Sequence, residues 1–281
     1  MVLISYLGSD VSIGNLFELG RNIILQTFLL QSWYPYTGIN VSLNGVAWYL
    51  STASFLYFMF PSIMLFLRTI YTKKYLLWLY IVSVLGVQIG ISAVALKIDS
   101  SWGFYRWITY DAPFFRLGDF FVGCILGVLY LNKKEISNIM ASIYEMCVLL
   151  LSIAVIYWDN NAEHVSFISK MLNNWTTIYI PLAAGTVYFF ASTQGVITYT
   201  LSKSRFLKYV GRKSSHFFLI HFIIIRYSVK IMARINLSVN RFVLIVFYFF
   251  LTVLCAEIYL RIEPGLLKIN NTFLTKFRIN D

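Results

Sequence analysis

The clearest shortage in this chain is charge. Only 12% of its 281 residues are Asp, Glu, Lys or Arg, where a soluble domain carries about 25%. That deficit excludes an ordinary soluble enzyme. Cysteine is scarce too. Cys124, Cys147 and Cys255 all sit in apolar runs and read as small hydrophobic side chains. With no Cys-x-x-Cys and no His/Cys spacing, no disulfide framework and no metal site are expected. There is no G-x-x-x-x-G-K-[ST] phosphate loop, which argues against an ATP-driven transporter. The opening MVLISYLGSD lacks a basic n-region and does not read as a signal peptide. Histidine occurs three times, at 164, 216 and 221.

What is abundant is apolar. Hydrophobic residues make up 59% of the chain and mean hydropathy is +0.71. The 24 Phe, 20 Tyr and 7 Trp are the residues that fill bilayers and line their interfaces. A helix needs about 20 apolar residues to cross the hydrocarbon, and seven stretches qualify: near 46–67, 75–96, 113–131, 142–158, 176–192, 214–234 and 241–260. The segment 11–31 carries Asp10 just before it and Glu18, Arg21 and Asn22 within it, and reads as an interfacial helix. The predicted fold is all-α, a single polytopic transmembrane helical bundle of about seven spans. Residues 1–45 form an outer or interfacial segment, 46–260 the spans and 261–281 a tail.

The net charge of +11 does not point to nucleic acid, because the basic residues cluster in short loops between apolar runs. Arg68, Lys73 and Lys74 follow the first span. Lys133 and Lys134 follow the third, Lys203 to Lys213 the fifth, and Arg261 to Arg278 the seventh. The alternate loops hold Asp99, Asp111, Asp159 and Glu163. Lys and Arg mark the cytoplasmic side, so the C-terminus is expected inside and residues 1–45 outside. Seven spans with an exported, leaderless start imply that an odd number of spans precedes this sequence.

Ionisable residues within spans are costly and so are site candidates. In DAPFFRLGDFFVG, Arg116 and Asp119 share a helix face after Pro113. They form either a tolerated ion pair or a pair facing a polar cavity, with Arg116 holding an anionic or carbonyl group. In VGRKSSHFFLIHFIII, Ser214 and Ser215 read as a capped helix start. His216 and His221, five apart, do not share a face, so a metal site is not expected. His216 reads as structural and His221 stays open. Glu257 and Arg261 have the i,i+4 spacing of a structural pair. Asn44, Trp48, Ser51, Tyr57 and Pro61 gather at the start of the first span, where interface anchoring explains Trp48 but not the whole string.

These residues resemble an integral-membrane family, the acyltransferase 3 family. Its string N-x-x-x-W-S-L-S-V-E-x-x-F-Y-x-x-F-P is similar to Asn44, Trp48, Leu50, Ser51, Tyr57, Phe60 and Pro61. Its F-R-x-x-E-F-x-x-G is similar to Phe115, Arg116, Asp119, Phe120 and Gly123. Its G-x-x-S-Y-S-L-Y-L-x-H is similar to Gly211, Ser214, Leu219 and His221. Ala53 stands where many members have Glu, Asp119 replaces Glu, and Ser215 and His216 replace Tyr and Ser. Members resemble ten-helix proteins whose first helix carries a His taken as catalytic base, with an Arg-x-x-Arg motif after the second. Neither motif is present here. The resemblance therefore implies an N-terminally incomplete member, from a truncated gene, an alternative start or a partial sequence, and a chain that is inactive or very weak on its own.

The function so implied is O-acyl transfer, usually of acetyl, from cytoplasmic acetyl-CoA to a sugar hydroxyl of a lipid-linked or surface polysaccharide such as O-antigen or capsule, in the bacterial inner membrane. Arg116 would polarise the thioester carbonyl, Trp48 and Tyr57 would line the sugar side, and His221 the donor side. Asn44, Ser51, Asp119 and Ser214 complete the expected substrate-binding set. No bound cofactor is expected. The rival reading is a non-enzymatic polysaccharide transporter or a polymerase.

Overall fold

The computed structural model describes residues 13–98, 102–133, 136–161, 179–192, 194–234 and 240–278. His164, Glu163, Lys134 and most of the expected outer loop 159–175 lie outside these. The described residues are helical, with no strand among them. Among the described residues six helices are long and apolar enough to cross a membrane, or seven if one bent pair is counted as a single span.

The chain divides into two compact units: residues 1–43 with 47–204, and residues 44–46 with 205–281. The first begins with α1 (Ile13–Thr27), a 3-10 turn (Gln31–Trp33) and α2 (Thr37–Asn40). Two full spans follow, α3 (Trp48–Ile70) and α4 (Lys74–Ile98). The third span is composite: α5 (Trp102–Arg106), a π turn (Trp107–Asp111), then α6 (Pro113–Leu131).

Aliphatic side chains on one face of each of these spans make the core. Leu67 of α3, Leu77 and Ile81 of α4, and Val122, Ile125, Leu126, Val128 and Leu129 of α6 form one buried cluster. α3 and α6 run in the same direction. Trp48 stacks beside Tyr110, Phe60 meets Phe120, and Met64 shares a cavity wall with Val128. Pro61 lies inside α3 without ending it, a situation that membrane helices accommodate.

α7 (Asn138–Asn161), α8 (Tyr179–Ser192) and α9 (Val196–Lys203) complete the first unit. α8 and α9 are bent 74° from one another, which exposes the backbone N–H groups that open α9. Glu145, fully buried on α7, receives them. Its Oε1 accepts from Gly195 N–H at 2.9 Å, and its Oε2 from Ile197 at 3.0 Å and Thr198 at 3.3 Å. Ser142 Oγ accepts from Val196 N–H at 3.1 Å. A carboxylate at a helix N-terminus is favoured by the exposed donors and by the helix dipole. Position 195 must be glycine because a Cβ there would fall on the Glu145 carboxylate.

The second unit pairs α10 (Arg205–Arg234) with α11 (Arg241–Arg278). Two expectations change here. α10 begins at Arg205, not near 214. Lys208, Arg212 and Lys213 depress hydropathy but are good helix formers, so Ser214 lies inside the helix, bonded to the Gly211 carbonyl at 3.0 Å, and caps nothing. Glu257 does not settle on Arg261 alone. Its Oε1 takes the Lys213 ammonium and the Tyr209 hydroxyl, both from α10, because a cross-helix cation and phenol satisfy a carboxylate more fully than one neighbour on the same exposed face.

Replacing Glu145 with Ala strands three backbone donors in an apolar setting, so on the order of 3 kcal/mol of stability is lost. The thermal midpoint of the detergent-solubilised protein, followed by fluorescence-detected gel filtration, falls by several degrees. Glu145→Gln, which keeps one acceptor, falls less.

Candidate functional site

The centre of the first unit's polar chemistry is the turn where the third span changes helix type. Ala112 is extended (φ −65°, ψ 126°) and Pro113 restarts the helix at its first position, where a missing N–H does no harm. Before it, Ala112 N–H closes a π-type bond to the Trp107 carbonyl at 2.8 Å. The carbonyls of Tyr110 and Asp111 therefore lose ordinary helical partners. Side chains replace them. Arg116 Nε donates to the Tyr110 carbonyl at 2.7 Å, and Thr52 Oγ1 donates to the Asp111 carbonyl at 3.2 Å.

Arg116 is held on three sides. Its Nη1 donates to Asp119 Oδ2 at 2.7 Å, and its guanidinium carbon lies 4.7 Å from the Tyr110 ring centre, a cation–π distance. Arg106 lies 5.8 Å from the same ring, and the Trp48 ring lies tilted against it, with centroids 5.0 Å apart. The other Asp119 oxygen accepts from Gln88 Nε2 at 2.6 Å, and the same amide donates to the Phe115 carbonyl at 3.1 Å. Gln88 is 2% exposed. It fits only because residue 118 is glycine: a Cβ at that position would stand 2.8 Å from Gln88 Nε2.

The pair is packed but not sealed, with side-chain exposures of 17% for Arg116 and 25% for Asp119. It walls two cavities. One, of about 910 Å³, runs along the α3–α6 seam and is lined by Trp48, Tyr49, Thr52, Phe60, Phe120 and Tyr130 among others. The second, of about 310 Å³, lies between α6 and α8 beside Ala183, Ala184 and Val187. Arg116, Asp119 and Gly123 line both. These volumes span the usual range of small-molecule sites. Arg116 and Asp119 thus form an intrahelical ion pair whose two residues also line both cavities.

The other expected site residues are placed as follows. Trp48 lines the larger cavity. Ser51 is buried away from it, accepting from Ser32 Oγ and donating to the Leu29 carbonyl, each at 2.6 Å. Tyr57 is 68% exposed and touches Phe120 edge-on, outside both cavities. Asn44 belongs to the second unit and donates to the Leu219 carbonyl at 3.4 Å. Ser214 and His221 line a third cavity of about 710 Å³ between α10 and α11. His221 Nδ1 lies 3.0 Å from the Phe217 carbonyl. Since a carbonyl only accepts, Nδ1 is the donor in this contact. His216 lies 3.8 Å from Glu263.

Sequence reasoning missed Gln88, Tyr110, Thr52 and Glu145. Gln88 and Glu145 were findable as polar residues inside apolar runs. Tyr110 acts through a backbone carbonyl and a ring face, which carry no residue-type signal. Asp111, taken as a loop residue, is fully buried.

A fold of membrane-spanning helices around a charged pair at the junction of two cavities defines a multi-pass membrane protein with an internal polar site. A family model described as an acyltransferase domain matches residues 3–261, and the chain belongs to this family, acyltransferase 3. No curated protein matches it, and no solved structure does.

Gly118→Ala pushes the Gln88 amide off Asp119, and Gln88→Leu removes it. Both lower family activity by about tenfold or more while leaving the protein monodisperse in detergent, since each removes a charge-assisted bond of about 1.5–3 kcal/mol from the residue that holds Arg116.

Proposed function

We propose that the chain is a membrane O-acyltransferase that moves an acetyl group from acetyl-CoA to a sugar hydroxyl of a polysaccharide such as O-antigen or capsule. Family membership supports acyl transfer over the transporter or polymerase reading. The observation that carries the proposal is Arg116: a guanidinium fixed at Nε and Nη1, facing two cavities, with three further N–H donors.

In the reaction the sugar hydroxyl oxygen attacks the thioester carbonyl carbon. A new C–O bond forms, the C–S bond breaks, and the hydroxyl proton ends on the departing CoA thiol. Negative charge gathers on the carbonyl oxygen in between. A preorganised donor aimed at that oxygen lowers the barrier, and one such donor is worth about 10²–10³ in rate. Asp119 keeps Arg116 oriented and makes the pair neutral overall, which lowers the cost of the charge in the bilayer. Trp48, Tyr49 and Phe120 offer aromatic faces of the kind that stack on sugar rings. His221 lines the second unit's cavity. The Lys- and Arg-rich loops support an inner-membrane orientation with the C-terminus in the cytoplasm.

The test is incorporation of labelled acetyl from acetyl-CoA into polysaccharide by membranes containing the full protein. Arg116→Ala lowers the rate at least 100-fold, and Arg116→Lys, which keeps charge but not the two-nitrogen tether, recovers only part of it. An Arg116→Ala protein that acetylates at the unaltered rate refutes the assignment.

A further inference from the structure

Beside the Arg116 site lies a second polar assembly, and it is closed. Gln31 and Ser32 of the 3-10 turn, Asn40 of α2, Ser51 and Thr52 of α3, and Asp111 of the π turn are each 3% exposed or less. The neutral members satisfy one another and the backbone: Gln31 Nε2 donates to the Ala47 carbonyl at 2.8 Å, and Ser32 Oγ to Ser51 Oγ at 2.6 Å. Asp111 is the carboxylic acid among them. The reaction proposed above does not use it. Yet it directly follows Tyr110, whose carbonyl and ring hold Arg116.

The surroundings of the Asp111 carboxyl do not suit a carboxylate. Its Oδ1 has no donor among the described residues. No ion pair reaches it among them either, since Arg116 is bonded to Asp119 and Arg106 faces the Tyr110 ring. Its Oδ2 stands 3.5 Å from one end of the Asn40 side-chain amide. Which end that is follows from the amide's other neighbours, the backbone carbonyls of Tyr34, at 3.3 Å, and of Gln31. Carbonyls only accept, so the amide nitrogen with its two hydrogens belongs with them. Asn40 therefore turns its oxygen toward Asp111. Two oxygens face one another favourably only with a proton between them, and the Asn40 oxygen brings none.

An ionised Asp111 would be buried, unpaired and set oxygen against oxygen, a situation that proteins avoid by neutralising the group. The elements packed against the π turn offer few charges. Arg106 comes from α5, Arg116 and Asp119 from α6, and Lys97 of α4 is exposed. Arg68 and Lys74 stand at the far ends of α3 and α4. The 3-10 turn and α2 bring none.

We propose that Asp111 is a neutral acid that keeps its proton at neutral pH, donates it to Asn40 Oδ1, and so positions the π turn that aims Arg116. It is a positioning residue, because it acts through Tyr110. The proton has two effects. It latches α2 to the turn that presents the Tyr110 carbonyl. It also removes a negative charge that would compete with Asp119 for the Arg116 guanidinium. The consequence at Arg116 rests on the acyl-transfer reading above, whereas the proton and the latch do not.

Infrared difference spectra of the full protein in nanodiscs, wild type against Asp111→Asn, read the proton. At neutral pH, where an ordinary aspartate with a pKa of about 3.9 is ionised, the wild type shows a protonated-carboxyl C=O band that shifts in D2O and that Asp111→Asn lacks. Thermal midpoints read the latch. Asp111→Ala and Asn40→Ala each lower the midpoint by several degrees, and the double variant falls no further than the worse single one, as for two residues sharing one bond. Asp111→Asn, which keeps a donor and carries no charge, recovers most of the loss. Labelled-acetyl transfer reads the aim: Asp111→Ala lowers kcat about tenfold, the scale of one hydrogen bond, with KM for acetyl-CoA little altered, and Asp111→Asn recovers most of that too. A wild type without the band, an Asp111→Asn protein as impaired as Asp111→Ala, or additive losses at 40 and 111 overturns the proposal. Should Asp111→Ala fail to fold, the band and the Asp111→Asn midpoint still decide it. Membranes that transfer no acetyl, with band and latch as described, leave the neutral acid standing and remove the proposed reaction. Transfer without the band does the reverse.

Discussion

A charged pair inside a bilayer has to be answered by protein, because lipid supplies no donors or acceptors. In this molecule Arg116 and Asp119 set that demand, and much of the first unit is arranged to meet it. Asp119 needs a second donor, so Gln88 of α4 is drawn under α6, and Gly118 is small so that it can come near. Arg116 needs a second acceptor, so the Tyr110 carbonyl is turned out of its helix. That carbonyl is available only because the chain makes a π turn and then restarts at Pro113. Helix irregularity, glycine and buried amide are thus consequences of one ion pair. The core of Leu67, Leu77, Ile125 and their neighbours keeps α3, α4 and α6 close enough for the answer to be given.

The same rule shapes the rest of the chain with different residues. Where α8 turns sharply into α9, the exposed N–H groups are met by Glu145 from α7. In the second unit Glu257 is met by Lys213 and Tyr209 from the facing helix. Each case joins two helices through a polar contact in a setting where apolar surface gives no preference for protein over lipid. The contacts define which helices are partners and in what register.

The spans were legible from sequence because they depend on one averaged quantity, hydropathy over about 20 residues, and the Arg116–Asp119 pair because i,i+3 spacing on a helix is local. What was not legible is what averaging hides. Lys208 to Lys213 lower hydropathy without breaking a helix, so α10 starts nine residues before the expected position. Asp111 reads as a loop acid because Pro113 follows closely, yet it is buried under the π turn. Gln88 and Glu145 are single polar letters in apolar runs, and their partners lie 31 and about 50 residues away in the chain. No local pattern names such partners. Tyr57 matches a motif by type, and its exposure follows from the rotation of α3 about its axis, which the packing against α4 and α6 decides.

The way Arg116 is held bears on what it can do. A lysine in its place would offer a mobile point charge, and a free arginine would give up conformational freedom on meeting a substrate. Arg116 has already done so: Nε is committed to Tyr110, one Nη1 hydrogen to Asp119, and its face to the Tyr110 ring. What remains are three N–H donors on a plane fixed from both edges, at the wall shared by two cavities. Donors that do not reorganise when charge develops are the ones that lower a barrier. The structural role and the chemical role of this residue therefore do not compete. The ties that make the charge tolerable in the membrane are the ties that aim it.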